Sequence, residues 1–178
     1  IRDRSRAKKN IIYHYDLGND FYRLWLDKTM TYSSGLFKDT KEDLSKAQEN
    51  KYQQIIDQLK IKSHHKILEI GCGWGGFAEY AAKKVGCKIR GITISPSQLE
   101  FAKSRIKNQG LEDKVSLDLC DYRDLKGQYD RVVSIEMIEA VGEKYWIDYF
   151  KKIKEVLTKD GMAGIQAVSY THLRAHET

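Results

Sequence analysis

The hydrophobic positions of this chain change their spacing near Lys66. Before that point, apolar residues recur every three or four positions behind a candidate N-cap at Asp39-Thr40, which predicts a helix with one buried face. Its apolar members are Leu44, Ala47, Tyr52, Ile55, Ile56 and Leu59. After Lys66, short apolar runs alternate with amphipathic stretches. This alternation predicts an α/β fold with a doubly wound, mainly parallel sheet.

The bounds of the strands and helices follow from the same pattern. Strands are expected at residues 66–70, 88–94, 115–119, 131–135 and 162–168, and the helices between them at about 77–85, 96–109 and 144–157. Ser95 is a candidate N-cap, Pro96 stands at the first helical position and Gln98 completes a capping box. Gly86 and Gly110 follow two helix ends, where a left-handed residue is favoured.

The chain divides into three parts. Residues 1–60 carry aromatic residues interleaved with charge in their first half, which indicates short helices, and they are predicted to form a helical cover. Residues 61–168 are the α/β core, and the cover and core form one domain. Residues 169–178 break the pattern and resemble translated adapter sequence, so we treat them as a non-native tail, with a genuine surface loop as the alternative.

The net charge of the chain indicates which class of partner it could bind. The 178 residues carry a net charge of +6 with a pI near 9.1, which favours phospholipid headgroups, nucleic acid or an anionic metabolite. Much of the excess lies in the first nine residues, as either a solvated terminus or a patch for a membrane surface. No metal site is expected, because metal-ligand spacing is absent among the three cysteines, which are Cys72, Cys87 and Cys120.

The clearest chemistry lies in residues 67–77, ILEIGCGWGGF. A buried strand ends in Gly71-x-Gly73-x-Gly75 and a helix follows, so a ligand can approach the loop backbone and the helix N-terminus closely. Glu69 stands two residues before the first glycine, as in many methyltransferases. The second strand lacks the acid that a nicotinamide cofactor requires at its ribose. The loop therefore favours S-adenosylmethionine, with a glycine-rich tight turn and no ligand as the alternative.

Several segments, in order, resemble the cyclopropane-fatty-acyl-phospholipid synthase family, which includes the mycolic-acid-modifying enzymes. They are YHYDLGNDFY (13–22), MTYSSGLF (30–37), GITISPSQ (91–98), CDYRDL (120–125) and RVVSIEMIEAVG (131–142). The resemblance covers about residues 10–168. It implies a Rossmann-like class I methyltransferase that adds a methylene bridge across the cis double bond of an acyl chain.

The resemblance implies a role for each matching residue. The residues implied in S-adenosylmethionine binding are Tyr32 and Ser33 over the amino-acid end, Glu69, Gly71, Cys72, Gly73, Trp74 and Gly75 in the cradle, Thr93, Ser95 and Gln98 at the ribose, and Asp121 with Tyr122 at the adenine. Glu139 would help to hold a bound bicarbonate, and Tyr15 would lie near the reacting methyl group. The alternatives are that Tyr15 belongs to the core and that Glu136 and Glu139 cap the following helix.

Two positions depart from the family and leave the product open. Ser34 stands where the family often has Cys, although its backbone amide can still donate. Gln166 stands where better-studied members have His, and an amide cannot shuttle protons at neutral pH. Methyl transfer to an alkene leaves a carbocation, which must lose a proton before a ring can close. Cyclopropanation and simple methylation of the double bond therefore both remain.

The resemblance also implies partners and a location. We expect contact with phospholipid acyl chains at the inner membrane surface of the cytoplasm, no nucleic acid, and a homodimer of the full-length protein as a further hypothesis. The alternatives are a small-molecule methyltransferase, an enzyme that makes a methyl-branched lipid, and a non-catalytic cofactor-binding module. The family's sheet continues past the fifth strand. We therefore expect missing last strands, an unpaired edge at residues 162–168, aggregation, weak cofactor binding and no turnover by the isolated chain.

Overall fold

The computed structural model describes residues 18–168. The basic front end, Tyr15 and the tail at residues 169–178 lie outside this range. The expectations that concern them stay predictions.

In the described residues, five parallel strands form one sheet in the order β3-β2-β1-β4-β5. Their bounds are β1 (Lys66–Ile70), β2 (Lys88–Thr93), β3 (Val115–Leu119), β4 (Tyr129–Ile135) and β5 (Leu157–Gln166). The chain runs outward from β1 to β3, then crosses over to β4 on the other side of β1. The doubly wound parallel sheet is confirmed. Its order reverses between β1 and β4, where open α/β sheets bind ligands beyond the carboxyl ends of the strands.

Helices cover both faces of this sheet. They are α1 (Asn19–Arg23), α2 (Leu44–Gln58), α3 (Gly76–Val85), α4 (Pro96–Asn108), α5 (Ile138–Val141) and α6 (Trp146–Val156), with 3₁₀ turns at Tyr122–Asp124 and Glu143–Tyr145. Ile67 belongs to the core cluster under α2, α3 and α4, whereas Leu68 belongs to the cluster that includes Tyr149 and Ile153 of α6. Successive strand side chains point to opposite faces, so β1 is buried on both sides. Each buried aliphatic side chain contributes about 1.5–3 kcal/mol.

The start of α4 confirms one predicted cap and corrects another. Ser95 Oγ accepts from the backbone N–H of Gln98 at 3.3 Å, and Pro96 is the first helical residue. The predicted capping box is wrong. The Gln98 side-chain oxygen accepts from Thr93 Oγ1 at 3.0 Å, and the Ser95 backbone N–H donates to the same hydroxyl. Both side chains are thereby held at the end of β2.

The N-terminus of α2 is also corrected. Its N-cap is Asp43, which accepts from the backbone N–H of Lys46 at 2.8 Å, rather than Asp39-Thr40. Asp39 caps a turn of its own by accepting from the backbone N–H of Lys41. Short polar side chains compete for nearby backbone donors in this way, which displaces the helix start.

The fifth strand differs most from its prediction. It begins at Leu157, directly after α6, and ends at Gln166 rather than at residue 168. Its pairing with β4 is irregular between Tyr129 and Arg131, and then continues in parallel register to Ile135 opposite Gln166. Within residues 18–168, β4 is its only partner, so β5 is an edge strand as predicted. The other element bounds differ from their predictions by no more than about two residues, as is usual at element ends.

No helix between residues 18 and 168 is long and apolar enough to cross a membrane. The same range contains no group of three or more His, Cys, Asp or Glu side chains that could hold a metal ion. Cys72 and Cys87 are buried and Cys120 is half-buried, and all three are free thiols.

Candidate active site

A cavity opens at the carboxyl ends of β1, β2 and β4, and the glycine-rich loop forms its base. Gly71, Gly73 and Gly75 have φ angles of 79°, 52° and 83°, in the left-handed region that only glycine adopts readily. A Cβ on Gly71 would lie 2.8 Å from Met137 Sδ, and one on Gly75 would lie 3.2 Å from Ala102 Cβ. The loop therefore needs glycine both for its backbone conformation and for the close approach of its neighbours.

Glu69 is the buried acidic residue of the cavity. Its side chain is 3% exposed, and it accepts a hydrogen bond from the backbone N–H of Ala78 at the start of α3. Its second oxygen, Oε2, is buried and has no hydrogen-bond partner among residues 18–168. Burial raises the pKa of this carboxyl to about 8. An unpartnered buried oxygen costs about 1–3 kcal/mol, which a ligand with a donor would recover.

The end of β2 presents neutral hydrogen-bonding groups. Thr93, Ser95 and Gln98 are all less than a tenth exposed and line the cavity together. They form hydrogen bonds with one another in the arrangement that replaces the capping box. The Gln98 amide oxygen accepts the hydrogen bond from the Thr93 hydroxyl. The amide nitrogen of Gln98 and the hydroxyl of Ser95 remain as groups that can meet a ligand.

Asp121 and Tyr122 lie on the next side of the cavity, after β3. Asp121 caps the first 3₁₀ turn by accepting from the backbone N–H of Arg123 at 3.0 Å, and its carboxylate forms an ion pair with the guanidinium of the same residue. Tyr122 packs edge-on against Tyr149 with ring centroids 4.9 Å apart. This corner is therefore held rigid by local contacts.

The segment before α2 covers the loop. Trp74 donates its indole N–H to Asn19 Oδ1 at 2.7 Å, and its ring packs on Tyr22 with centroids 4.9 Å apart. Arg105 of α4 donates to the backbone carbonyl of Thr29 at 2.7 Å. These contacts place Tyr32 and Ser33 on the wall of the cavity.

A second group of polar side chains lies at the end of β4. Glu136 Oε1 accepts from the backbone N–H and the hydroxyl of Ser34, both at 2.8 Å, and from Gln166 Nε2 at 3.1 Å. The buried Lys51 of α2 donates to the Ser34 carbonyl at 2.9 Å and to the Ser33 hydroxyl. We call Ser34, Lys51, Glu136 and Gln166 the carboxylate cluster.

The structure brings most of the predicted site residues together. All those expected to bind the cofactor line the cavity except Gly75, which lies behind it at the start of α3. Of the predicted catalytic residues, Ser34 and Gln166 lie in the carboxylate cluster. Glu139 is exposed, lies outside the cavity lining and accepts from the backbone N–H of Val168. The roles of these residues stay predictions.

Comparison with known proteins assigns the chain to a family. The family model for mycolic acid cyclopropane synthetase matches residues 2–178. The chain belongs to this family. It is 41% identical over 178 aligned residues to the tuberculostearic acid methyltransferase UfaA1 of Mycobacterium tuberculosis. This alignment covers 96% of this chain and 42% of that protein. It is 42% identical over 149 residues to the cyclopropane-fatty-acyl-phospholipid synthase of Escherichia coli K12, which covers 84% of this chain and 38% of that protein.

Solved structures of the mycolic acid cyclopropane synthetase family share the fold. The cyclopropane synthase MmaA2 of Mycobacterium tuberculosis superposes with a TM-score of 0.85 at 28% identity, over 89% of this chain and 55% of that one. The mycolic acid cyclopropane synthase CmaA1, complexed with SAH and CTAB, superposes with a TM-score of 0.83 at 30% identity, over 87% of this chain and 55% of that one. The chain spans about two fifths of the curated relatives and about half of these structures.

Within this family frame, sequence reasoning missed Lys51 and considered Glu136 only as a helix cap. Each had a signal. Lys51 stands four residues after Ala47 and four before Ile55, so it lies on the apolar stripe of α2, where a charge is unexpected. Glu136 directly follows the buried strand β4 at the ligand-binding edge of the sheet.

Proposed function

We propose that this chain is the S-adenosylmethionine-binding part of an enzyme that transfers a methylene group to the cis double bond of an unsaturated fatty-acyl chain of a phospholipid, forming a cyclopropane ring. The observation that carries the proposal is the buried, unpartnered Glu69 Oε2 beside the glycine loop, at the switch point of the sheet. In a member of this family, such an oxygen calls for a cationic ligand with a donor.

The residues of the cavity fit S-adenosylmethionine. The ammonium of its amino-acid end would donate to Glu69, and the loop glycines leave room for the chain that carries the sulfonium. The Gln98 amide and Ser95 hydroxyl would meet the ribose, and Tyr122 would pack beside the adenine. Asp121, beside Tyr122, would accept from the adenine. When bound, this cofactor supplies an electrophilic methyl group.

The protein's own contribution is to exclude water and hold the acceptor in line. Trp74, Tyr22 and Met30 form a buried cluster above the loop. Tyr32 is 42% exposed and lines the cavity, so its ring lies between the cofactor site and solvent. Aromatic faces stabilise a desolvated cation by about 2 kcal/mol. Such a wall suits a reaction whose acceptor becomes a carbocation.

A lipid acceptor is supported by the surface of the cover. Phe21, Leu24 and Trp25 are exposed on and beside α1, and Leu24 is 83% exposed. A cluster of large apolar side chains beside the cofactor cavity suits contact with acyl chains at a membrane surface. We extend the proposal to a peripheral location on the cytoplasmic side of the membrane and to a homodimer of the full-length protein.

A methyl-branched lipid is the second candidate product. Two observations favour it. Gln166 provides an amide at a position where the resemblance implies His in the better-studied members, and one of the most similar relatives is named a tuberculostearic acid methyltransferase. In that case the carbocation loses its proton from a neighbouring acyl carbon, so no ring closes.

Expression of the full-length gene in a host that makes unsaturated phospholipids tests the proposal. We expect a gain of fourteen mass units on unsaturated acyl chains by lipid mass spectrometry, and NMR of the product distinguishes a ring from a branch. Unchanged lipids from a protein that binds S-adenosylhomocysteine would favour a small-molecule methyltransferase or a non-catalytic module instead. Gly71→Ala serves as the inactive control, because its added Cβ would crowd the cofactor loop.

A further inference from the structure

Lys51 is a charged side chain in the interior of the cover. It is 4% exposed, and its ammonium donates to the Ser33 hydroxyl and to the Ser34 backbone carbonyl. Burial lowers the pKa of Lys51 to about 8, and the charges of Glu136 and Asp27 oppose that shift. At neutral pH the buried amine is therefore mostly protonated, and a protonated lysine can only donate hydrogen bonds.

Ser33 is held by two side chains of α2. Gln48, one helical turn before Lys51, donates its side-chain amide to the Ser33 carbonyl at 2.7 Å. Because Lys51 can only donate, the Ser33 oxygen accepts in their bond and keeps its own proton for a second partner. Ser33 lines the cofactor cavity, whereas Lys51 is outside that lining. A ligand in the cavity can therefore be the second partner of this hydroxyl.

The lining of the cofactor cavity carries more acidic than basic side chains. Glu69, Asp121 and Glu136 belong to it. Within residues 18–168, its one Lys or Arg side chain is Arg123, which is ion-paired with Asp121. A negative group of a ligand thus needs positive charge from behind the wall. Lys51 supplies that charge behind Ser33, where burial leaves it weakly screened.

The segment that carries Ser33 is attached to α2 without Lys51. Gln48 bonds the Ser33 carbonyl, and Asn50 donates to the Leu36 carbonyl at 3.2 Å. Both of these anchors are neutral amides. Since burying an ammonium among neutral acceptors is costly, the charge of Lys51 indicates a use besides attachment.

We propose that Lys51 is a positioning residue for the carboxylate of the cofactor's amino-acid end, on which it acts through the Ser33 hydroxyl. This inference rests on the proposed function. The ammonium and the carboxylate of an amino acid are attached to one carbon, so a cofactor whose ammonium meets Glu69 has its carboxylate nearby. Ser33 and Glu69 line the same cavity. A hydroxyl that accepts from an ammonium is polarised and becomes a stronger donor, so Lys51 strengthens the bond that Ser33 gives.

Two ligands that differ by one carboxylate test this assignment in the full-length protein. S-adenosylhomocysteine carries the ammonium and the carboxylate, whereas decarboxylated S-adenosylhomocysteine keeps the ammonium alone. Lys51→Met keeps an unbranched side chain and removes the charge. We expect it to weaken binding of S-adenosylhomocysteine about ten- to hundredfold, as for a lost hydrogen bond to a charged group, and to leave binding of the decarboxylated ligand close to that of the wild type. Calorimetric titration measures both affinities.

Matched variants separate the charge from the attachment. Lys46→Met removes a lysine of the same helix whose side chain is 56% exposed, and it should behave as the wild type. Gln48→Met removes a neutral anchor and should weaken both ligands by the same factor. Glu69→Gln should also weaken both, because both carry the ammonium. In a Ser33→Ala background, Lys51→Met should add little further loss, since the two residues act as a unit.

The outcomes separate this assignment from the proposed function. Equal losses of the two ligands in Lys51→Met, no loss of either, or full additivity with Ser33→Ala overturns the assignment of Lys51 and leaves the proposed function standing. If Lys51→Met does not fold, Lys51→Gln takes its place and must show the selective loss for the assignment to stand. A wild type that binds neither ligand overturns the proposed function and this assignment with it. One that binds both but modifies no lipid overturns the lipid acceptor alone.

Discussion

Trp74 and Asn19 are 55 residues apart in the chain and joined by a hydrogen bond of 2.7 Å from the indole N–H to the amide oxygen. The same amide donates through its nitrogen to the carbonyl of Ser97 at the start of α4. One side chain of the cover thereby bonds both the glycine-rich loop and the helix that follows β2. The cover is held in place at the mouth of the cofactor cavity by this side chain.

Asn19→Ala tests how strongly the cover is attached. The substitution removes the hydrogen bonds of Asn19 to the Trp74 indole and to the Ser97 carbonyl. Each contributes about 0.5–1.5 kcal/mol, so we expect a loss of about 1–3 kcal/mol in the free energy of unfolding. Affinity for S-adenosylhomocysteine should also fall, because the wall of the cavity loosens. Urea denaturation and calorimetric titration measure the two effects. Asp20→Ala is the control, since the Asp20 side chain is 98% exposed and should stay within about 0.5 kcal/mol of the wild type.

Glu69 should make the ligand-free protein less stable as the pH rises. Burial raises the pKa of Glu69 to about 8, above the ordinary value near 4.5. Between these values the folded state binds more protons than the unfolded state, so the free energy of unfolding falls with rising pH, by at most about 1.4 kcal/mol per pH unit. Glu69→Gln should remove this slope. A denaturation series from pH 4 to pH 9 in which both proteins show the same slope would contradict the expectation.

The same carboxyl should release a proton when the cofactor binds. Near pH 7 the free protein keeps Glu69 protonated, whereas an ammonium beside it favours the carboxylate. We expect calorimetric binding enthalpies that differ between phosphate and Tris buffers, in proportion to up to one proton released. Glu69→Gln should lose this buffer dependence and bind about ten- to hundredfold more weakly, as for a lost charged hydrogen bond.

Gly71 and Gly110 form a matched pair for testing the loop. Both have positive φ angles, at 79° and 63°, but a Cβ on Gly71 would press on Met137, whereas one on Gly110 would meet nothing within 4 Å. Alanine at either position should cost about 1–2 kcal/mol of stability through backbone strain. Only Gly71→Ala should also abolish cofactor binding. Equal affinity of the two variants for S-adenosylhomocysteine would show that the loop does not form the cradle.

Leu24→Glu tests the contact with lipid. Leu24 is 83% exposed beside Phe21 and Trp25, so burying it in a membrane contributes about 1.5–3 kcal/mol to binding. We expect the substitution to reduce sedimentation with anionic phospholipid vesicles by about tenfold or more. Ile147→Glu, on α6, is the control for adding a charge to an exposed apolar site. A Leu24→Glu protein that still sediments with vesicles as the wild type does would remove α1 from the proposed membrane contact.

Local signals made much of the fold predictable. The cap at Ser95 and the left-handed glycine after α3 depend on neighbouring residues, and both are confirmed. The failures depend on residues outside each motif. The Gln98 side chain bonds Thr93 rather than the backbone of Ser95, because the end of β2 is part of a cavity wall. The sequence pattern within residues 95–98 does not indicate that these side chains line a cavity.

The carboxylate cluster shows the same limit at the site. Ser34 and Gln166 were chosen by resemblance, and they do lie next to each other, 3.1 Å from Oγ to Nε2. Whether Glu136 or Glu139 joins them depends on how the turn after β4 rotates. That rotation is set by the left-handed backbone of Glu136 and by its bond to β5, which is a contact across 30 residues.

The irregular pairing at the start of β5 decides which side chain reaches this cluster. Between Leu157 opposite Tyr129 and Met162 opposite Arg131, β5 takes up more residues than β4 does, and the regular register that follows ends with Gln166 opposite Ile135. A shift of one residue would turn Gln166 to the other face of the sheet and bring Ile165 or Ala167 in its place. A one-residue insertion or deletion at residues 158–161, far from every reacting atom, would therefore replace a polar donor with an apolar side chain. Natural length variation in this short stretch would thus change the polarity of the carboxylate cluster without any substitution among its four residues.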